Sequence, residues 1–455
     1  MRTSVVLLAF ALPLAAQNGT RSGRIIPSPV GESGNYIVEF RDAPRLASST
    51  ATTQRFAAFE SDLRSIDAAA RITQRYSRVF SGAAVAASSD AIDRIAALDY
   101  VRSIHLDRPM HALLDDSLAK INAPQVWASF GTRGEGVVVA IVDTGIDYNH
   151  PAFGGGFGPG HRVAGGWDFV NSDADPMDDA GHGTHVAGIV GGNGGGVTGI
   201  APGVTFLAYK VLDSQGSGNE SVILAGIERA VADRANVVNM SLGGPAVADD
   251  PLVKAVENAT AAGVVFAIAA GNNSDFRNIS SPAIAPSAIA VGATTIDDQI
   301  ASFSSKGPDD NLAIKPEVVA PGVNIVSAKA GGGTLSESGT SMATPHIAGV
   351  AALLRAIHPA WTPADVKAAI VGTAVPLGND VMAEGAGRVD ALAAATADVL
   401  ASPSTVSFGL DVQSLPHWVS TQTVTVVNRG AAPETLQLRA SSTRTDVAAN
   451  LDAAT

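Results

Sequence analysis

Gly339-Thr340-Ser341-Met342-Ala343-Thr344-Pro345-His346 opens a long apolar stretch with helical spacing, read as a helix from Ser341 through Leu354. On this reading Pro345 falls within the first helical turn, where a missing N–H costs little. A serine at a helix N-terminus gains a favourable dipole and neighbouring free backbone N–H groups. Gly339 lets the chain turn sharply into the helix. Alone, such a serine reads as an N-cap, because a hydroxyl is a poor nucleophile unless a positioned base takes its proton. Two upstream motifs change that. Val142-Asp143-Thr144-Gly145-Ile146-Asp147 closes an apolar strand, and Gly181-His182-Gly183-Thr184-His185-Val186-Ala187-Gly188 leads into an apolar helical run. Acid, base, then hydroxyl is one of the chain orders on which Ser-His-Asp catalysis is built.

Each residue has a physical reason for its place. Asp143 ends the strand Val137–Val142, and ligands and catalysts of open α/β sheets gather at the carboxyl ends of strands. It is preferred over Asp147, which reads as a turn residue. The glycines around His182 allow its ring to be placed in a cleft, whereas His185 reads as structural. Asn272 follows the apolar strand Val264–Ala269 through Ala270-Gly271. Its amide is suited to donate to a developing oxyanion beside the Ser341 N–H.

The fold follows from the runs between these motifs. Val137–Val142, Phe206–Val211, Val237–Met240, Val264–Ala269 and Ala288–Val291 are apolar without alternation, as strands buried on both faces of a parallel sheet are. Helical stretches such as Glu220–Asp233 and Pro251–Ala262 lie between them. The expected class is α/β, a doubly wound and mostly parallel sheet over residues 115–396. A small α+β module precedes it over 34–112: strand Tyr36–Phe40, helix Phe56–Arg71, strand Val79–Ala87, helix Ser89–Leu98 and strand Val101–Leu106. Residues 400–455 alternate at Thr421–Val427 and Thr435–Arg439, a β texture too short for a complete sandwich.

Composition narrows the function classes. A net charge of −13 argues against a nucleic-acid partner. The absence of cysteine removes disulfides, thiolate metal sites and a cysteine nucleophile. Arg2, the apolar run Val5–Leu14 and Ala15-Ala16 have the tripartite shape of a secretory signal over 1–16, followed by a Gly/Ser/Pro-rich linker over 17–33. No later run is long enough for a membrane anchor. The expectation is a secreted protein that works as a monomer.

With its three motifs, the chain resembles the subtilisin-like serine proteases, the subtilases, over about residues 115–395. The resemblance implies a serine endopeptidase with Asp143 as orienting acid, His182 as base, Ser341 as nucleophile and Asn272 as oxyanion donor. Thr144 stands where many members carry serine. Residues 34–112, with Tyr36–Phe40 and Phe80-Ser81-Gly82, resemble the family's inhibitory propeptide. That implies a zymogen that cuts itself between His105 and Ser117, with peptides and its own propeptide as partners. By the same analogy Ser241, Leu242 and Gly243 pair with an extended substrate, Ala270 lines the opposite wall of the specificity pocket, and Ser280 and Ser281 stand at its floor.

The acidic run Asp168–Asp179 offers hard oxygen ligands suited to calcium, which the resemblance maps to Asp168, Asn171 and Asp173; no organic cofactor is expected. A second calcium site of the family lacks its acid, since Ala152 occupies that place. Two other readings compete. One is a catalytically inactive binding or surface protein of the same fold. The other is a metallohydrolase that uses His182 and His185 with Asp178 or Asp179.

Overall fold

The apolar runs assigned to buried strands form one parallel sheet in the computed structural model. The structure describes residues 24–25, 34–42, 50–77, 80–106, 114–247, 249–408, 419–440, 448 and 450–451. The signal segment 1–16 and most of the linker lie outside them, as do residues 107–113 of the expected cleavage region. The chain divides into two units, Met1–His111 and Ala112–Thr455.

In the first unit, β1 (Arg24–Ile25), β2 (Gly34–Phe40), α1 (Thr50–Ile66), β3 (Arg71–Tyr76), β4 (Gly82–Ala87), α2 (Ser89–Ala96) and β5 (Val101–Leu106) follow in chain order. The sheet runs β1-β5-β2-β4-β3. Val38, Phe40, Phe59, Leu63, Ile95 and Ile104 fill its core, with Phe40 edge-on to Phe59 at 5.1 Å between ring centroids. One expectation is corrected. Arg71 begins a strand, not the end of the first helix, which closes at Ile66. Arg71–Tyr76 is a mostly exposed edge strand, so its polar composition gives no apolar strand signal.

The second unit opens with α3 (Leu114–Lys120) and α4 (Ala123–Phe130), then β6 (Val138–Asp143), β7 (Val163–Asp168) and α5 (His182–Gly191). The two-residue strands β8 (Asn193–Gly194) and β9 (Val197–Thr198) form a small hairpin. Next come β10 (Thr205–Lys210), α6 (Glu220–Ala232), β11 (Val237–Met240), α7 (Pro251–Ala261), β12 (Val265–Ala269), β13 (Ile289–Thr294) and β14 (Val318–Pro321). The sheet order is β14-β13-β12-β11-β6-β10-β7, and all its pairings are parallel. A hairpin of β15 (Ile325–Ala328) and β16 (Thr334–Glu337) leads to α8 (Thr340–Ile357), α9 (Pro363–Gly372), α10 (Val381–Glu384) and α11 (Ala391–Ala395). Sequence reading had not singled out β7, rich in glycine, or β14, only four residues long.

Strand β6 explains why its run is apolar throughout. Val139 and Ile141 enter the core shared with α5 and α8, whereas Ala140 and Val142 enter the core shared with α6 and α7. Side chains alternate across a strand, so a sheet covered on both faces demands apolar residues at every position. Strand order reverses around β6: β10 lies on one side of it and β11 on the other. The carboxyl end of β6 is therefore at the switch point where α/β sheets place their sites.

The tail packs on this unit. β17 (Val399–Ser402) pairs antiparallel with β18 (Thr425–Asn428). Arg429 forks onto Asp365 at 2.8 and 2.9 Å. Asp365 is also the N3 partner of Thr362 in a capping box at the start of α9. Thr435–Arg439 is not a strand; Leu436 and Leu438 are exposed, with no sheet face to cover them.

Candidate active site

Asp143, the last residue of β6, is completely buried. Its Oδ1 accepts the Thr144 N–H at 2.8 Å and faces His182 Nδ1 at 2.7 Å. A carboxylate only accepts, so Nδ1 carries a proton, and in the neutral ring Nε2 is left bare. The ring is the first residue of α5 and its side chain is 31% exposed. Burial disfavours its charge. The Asp143 carboxylate more than offsets this, with help from Glu337 and Asp178, and the imidazole is pushed up to about 9.

The glycines beside His182 have steric causes. Gly181 sits at φ 100°, in the left-handed region. A Cβ on Gly183 would lie 2.1 Å from the Gly145 carbonyl oxygen, so α5 begins in backbone contact with the turn that follows Asp143. That contact is fastened by Thr144, whose hydroxyl accepts the Gly183 N–H and donates to Asp178, both at 2.8 Å. Asp178 also collects the N–H groups of Ala180, Gly181 and Thr184 and the Thr184 hydroxyl. Fully buried Lys210 adds a second tie, from Thr144 O at 3.0 Å to Asp179 Oδ1 at 2.6 Å and Leu212 O at 3.1 Å. Asp178, Asp179 and Lys210 hold the acid and base segments in register. Sequence reading had left the two aspartates to an acidic run or to a rival metal site, although Asp178 precedes His182 by only four residues.

Ser341 is the second residue of α8. Its hydroxyl donates to the Ser241 carbonyl at 3.0 Å, and the Ser241 hydroxyl donates back to the Ser341 carbonyl at 2.8 Å. In this rotamer Ser341 Oγ is turned to Ser241. Pro345 lies inside α8, beyond the first turn expected from sequence. Its missing N–H would have bonded the Ser341 carbonyl, and Ser241 replaces it.

Asn272 is oriented by α8. Its Oδ1 accepts both the N–H and the hydroxyl of Thr340 at 2.9 Å. A backbone N–H can only donate, so the Asn272 oxygen faces Thr340 and the amide nitrogen faces away. The position a Cβ would take on Gly339 is 3.5 Å from both Asn272 Nδ2 and the Ser341 nitrogen. Two N–H donors thus flank one small space, suited to a developing negative oxygen.

A cavity of about 560 Å³ runs beside the site. Its lining includes His182, Ser241, Leu242, Gly243 and Ser281. Gly244 and Ser281 exchange backbone hydrogen bonds, of 3.0 and 2.9 Å, across it. Ala270 does not line this cavity: its side chain is fully buried in the core with α6 and α7, and its carbonyl takes the Ser280 N–H.

The metal readings meet different geometry. His185 is buried with Nε2 between the carbonyls of Ile325 and Leu335 at 3.1 and 3.0 Å. Burial lowers its pKa to about 4, so the ring is a neutral strut under the β15–β16 hairpin. His182 engages Asp143 instead, and among the described residues no three His, Asp or Glu groups gather as a metal set. Asp168 Oδ1 accepts the N–H groups of Val170 and Asn171, its Oδ2 takes the Asn171 amide, and Asp173 Oδ1 takes the Asp175 N–H. These bonds engage both oxygens of Asp168 and one of Asp173 with donors of their own loop.

Comparison with known proteins follows these boundaries. Residues 134–398 match the family described as the subtilase family, and residues 35–113 match the one described as peptidase inhibitor I9. Subtilisin E of Bacillus subtilis strain 168 is 42% identical over 302 residues, 65% of this chain and 75% of that protein. Subtilisin of Bacillus pumilus is 43% identical over 284 residues, 61% of this chain and 97% of that one. Serine protease AprX of Bacillus subtilis strain 168 is 37% identical over 361 residues, 70% and 80% of the two. A crystal structure of a cold-adapted subtilisin-like serine proteinase covers 63% of this chain and 91% of its own, with 36% identity and a TM-score of 0.50.

Proposed function

Because this chain belongs to the subtilase family and is a subtilisin-like serine protease with an I9 propeptide domain, we propose that it is a secreted endopeptidase. In this reading Ser341, His182 and Asp143 form its catalytic triad and Asn272 donates to the oxyanion. The observation that carries the proposal is the 2.7 Å contact of His182 Nδ1 with buried Asp143, at the carboxyl edge of the sheet. Rotation of the Ser341 hydroxyl from Ser241 toward bare His182 Nε2 starts the reaction. The hydroxyl attacks a peptide carbonyl as His182 takes its proton. The new oxyanion is held by the Ser341 N–H and the Asn272 amide, while Asp143 stabilises the imidazolium. His182 then protonates the leaving amine, and water resolves the acyl-enzyme by the same steps.

The substrate peptide lies along Ser241-Leu242-Gly243 in extended form, adding a strand. The zymogen cuts itself between Leu106 and Leu114, since β5 ends at the first and α3 begins at the second. Ser117, the far limit of the expected window, is fully buried against His346 at 3.0 Å. The mature enzyme acts as a monomer.

The full chain and its Ser341→Ala variant are compared on casein and by N-terminal sequencing after incubation. The wild type is expected to hydrolyse casein and to acquire a new N-terminus between 107 and 114; the variant does neither. Equal hydrolysis by the two proteins refutes the triad, whereas no hydrolysis or processing by either leaves the inactive scaffold as the surviving reading.

A further inference from the structure

The cavity beside His182 has a chemically uneven lining. Leu212, Ile223, Leu242 and Leu252 form its apolar part, and Leu212, Ile223 and Leu252 are buried. Its only charged side chain besides His182 is Glu220, the exposed first residue of α6. Among the described residues no cation pairs with Glu220, whereas Lys254, on neighbouring α7, is already paired with Asp249 at 2.6 Å. Asp250, the other acid near the floor, is buried and fully engaged by Ser281 and the start of α7.

We propose that Glu220 is a specificity-determining residue, which selects a lysine or arginine in the substrate on the acyl side of the scissile bond. The proposal rests on the protease reading above and deepens it. An extended peptide laid along Ser241-Leu242-Gly243 toward Ser341 sends alternate side chains into the cavity. A purely apolar side chain is buried there but leaves the carboxylate at the rim unanswered. Lysine and arginine do both: the aliphatic stem covers the leucines while the charged tip stays at the rim. Glu220 also sits where a helix dipole favours a carboxylate. Among the described residues no partner occupies its carboxylate, which leaves it open to a guest cation.

An exposed ion pair of this kind is worth about a 2- to 5-fold change. The test is a series of fluorogenic peptides, identical except that lysine, arginine, norleucine or glutamate occupies each of the four acyl-side positions in turn. The full chain is assayed as purified, and the quantity read is the ratio of kcat/KM for lysine over norleucine. One position is expected to show a ratio of about 2 to 5 at low salt, falling toward 1 in about 0.5 M NaCl as the charges are screened. In Glu220→Gln that ratio falls to about 1; Glu220→Asp keeps part of it, and Glu220→Lys drops it below 1 and favours glutamate over norleucine instead. A ratio near 1 at every position, or one that persists in Glu220→Gln, overturns the proposal while the protease reading stands. Loss of all Ser341-dependent hydrolysis overturns both.

Discussion

Ser241 and Ser341 exchange hydrogen bonds, each hydroxyl donating to the other's carbonyl at 2.8 and 3.0 Å. One bond of the pair exists because Pro345 cannot supply the helical N–H that the Ser341 carbonyl would otherwise receive. The backbone of Ser341, the proposed nucleophile, is thereby tied to the segment proposed to pair with substrate.

Ser241→Ala leaves the Ser341 carbonyl without either donor and is expected to cost about 1–2 kcal/mol. Adding Pro345→Ala returns a main-chain N–H four residues on. The double variant should then recover most of the lost Tm. Thermal denaturation of the two variants decides it, and absence of recovery contradicts the assigned role of Pro345.

Asp143 raises the His182 pKa from the ordinary 6.5 to about 9. A raised folded-state value stabilises the protein fully below the unfolded pKa and loses that contribution as pH rises through the folded one. Catalysis needs the neutral ring, so activity grows across the window in which this contribution fades. The acid limb of kcat/KM is expected above 6.5, on the alkaline side of an ordinary histidine. In Asp143→Asn the limb moves down and kcat falls by about 10⁴-fold. A limb that does not move between the two proteins contradicts the pairing.

Asn272 accepts from Thr340, and substitution can separate that bond from the oxyanion donation proposed for it. Asn272→Asp keeps an acceptor for Thr340 but has no donor for an oxyanion, so it should fold with near-native Tm and lose activity. Asn272→Leu removes both and should lose Tm as well. The scale for the activity loss is about 10²–10³-fold in kcat, the range known for such a donor in the relative subtilisin. Retained turnover in the aspartate variant places the oxyanion elsewhere.

Asp168 accepts three hydrogen bonds from its own turn. Asp168→Ala, which strips three N–H groups of their acceptor, is expected to lower stability by about 2–4 kcal/mol. Calcium and EDTA should leave the wild-type Tm unaffected by this loop. A calcium-dependent rise in Tm that disappears in Asp168→Ala shows instead that the turn reorganises around the metal.

The strands that position Asp143, Ser241 and Asn272 were legible because burial on both faces leaves an unbroken apolar run. Two of the three motifs carry glycines that meet backbone at close range, as Gly183 meets the Gly145 carbonyl and Gly145 that of Pro176. Arg71–Tyr76 escaped because an exposed edge strand has no core to write a pattern. Asp178 and Lys210 escaped for another reason: charged residues read as solvated until coordinates show what they fasten.

Strand β6 feeds two separate cores with alternate side chains and ends in the carboxylate that steers the imidazole. Repacking on either side of the sheet therefore reaches Asp143 along a ribbon only six residues long. Substitutions meant to adapt the molecule to heat or cold from opposite flanks converge on the same point, and there durability and turnover must be adjusted together.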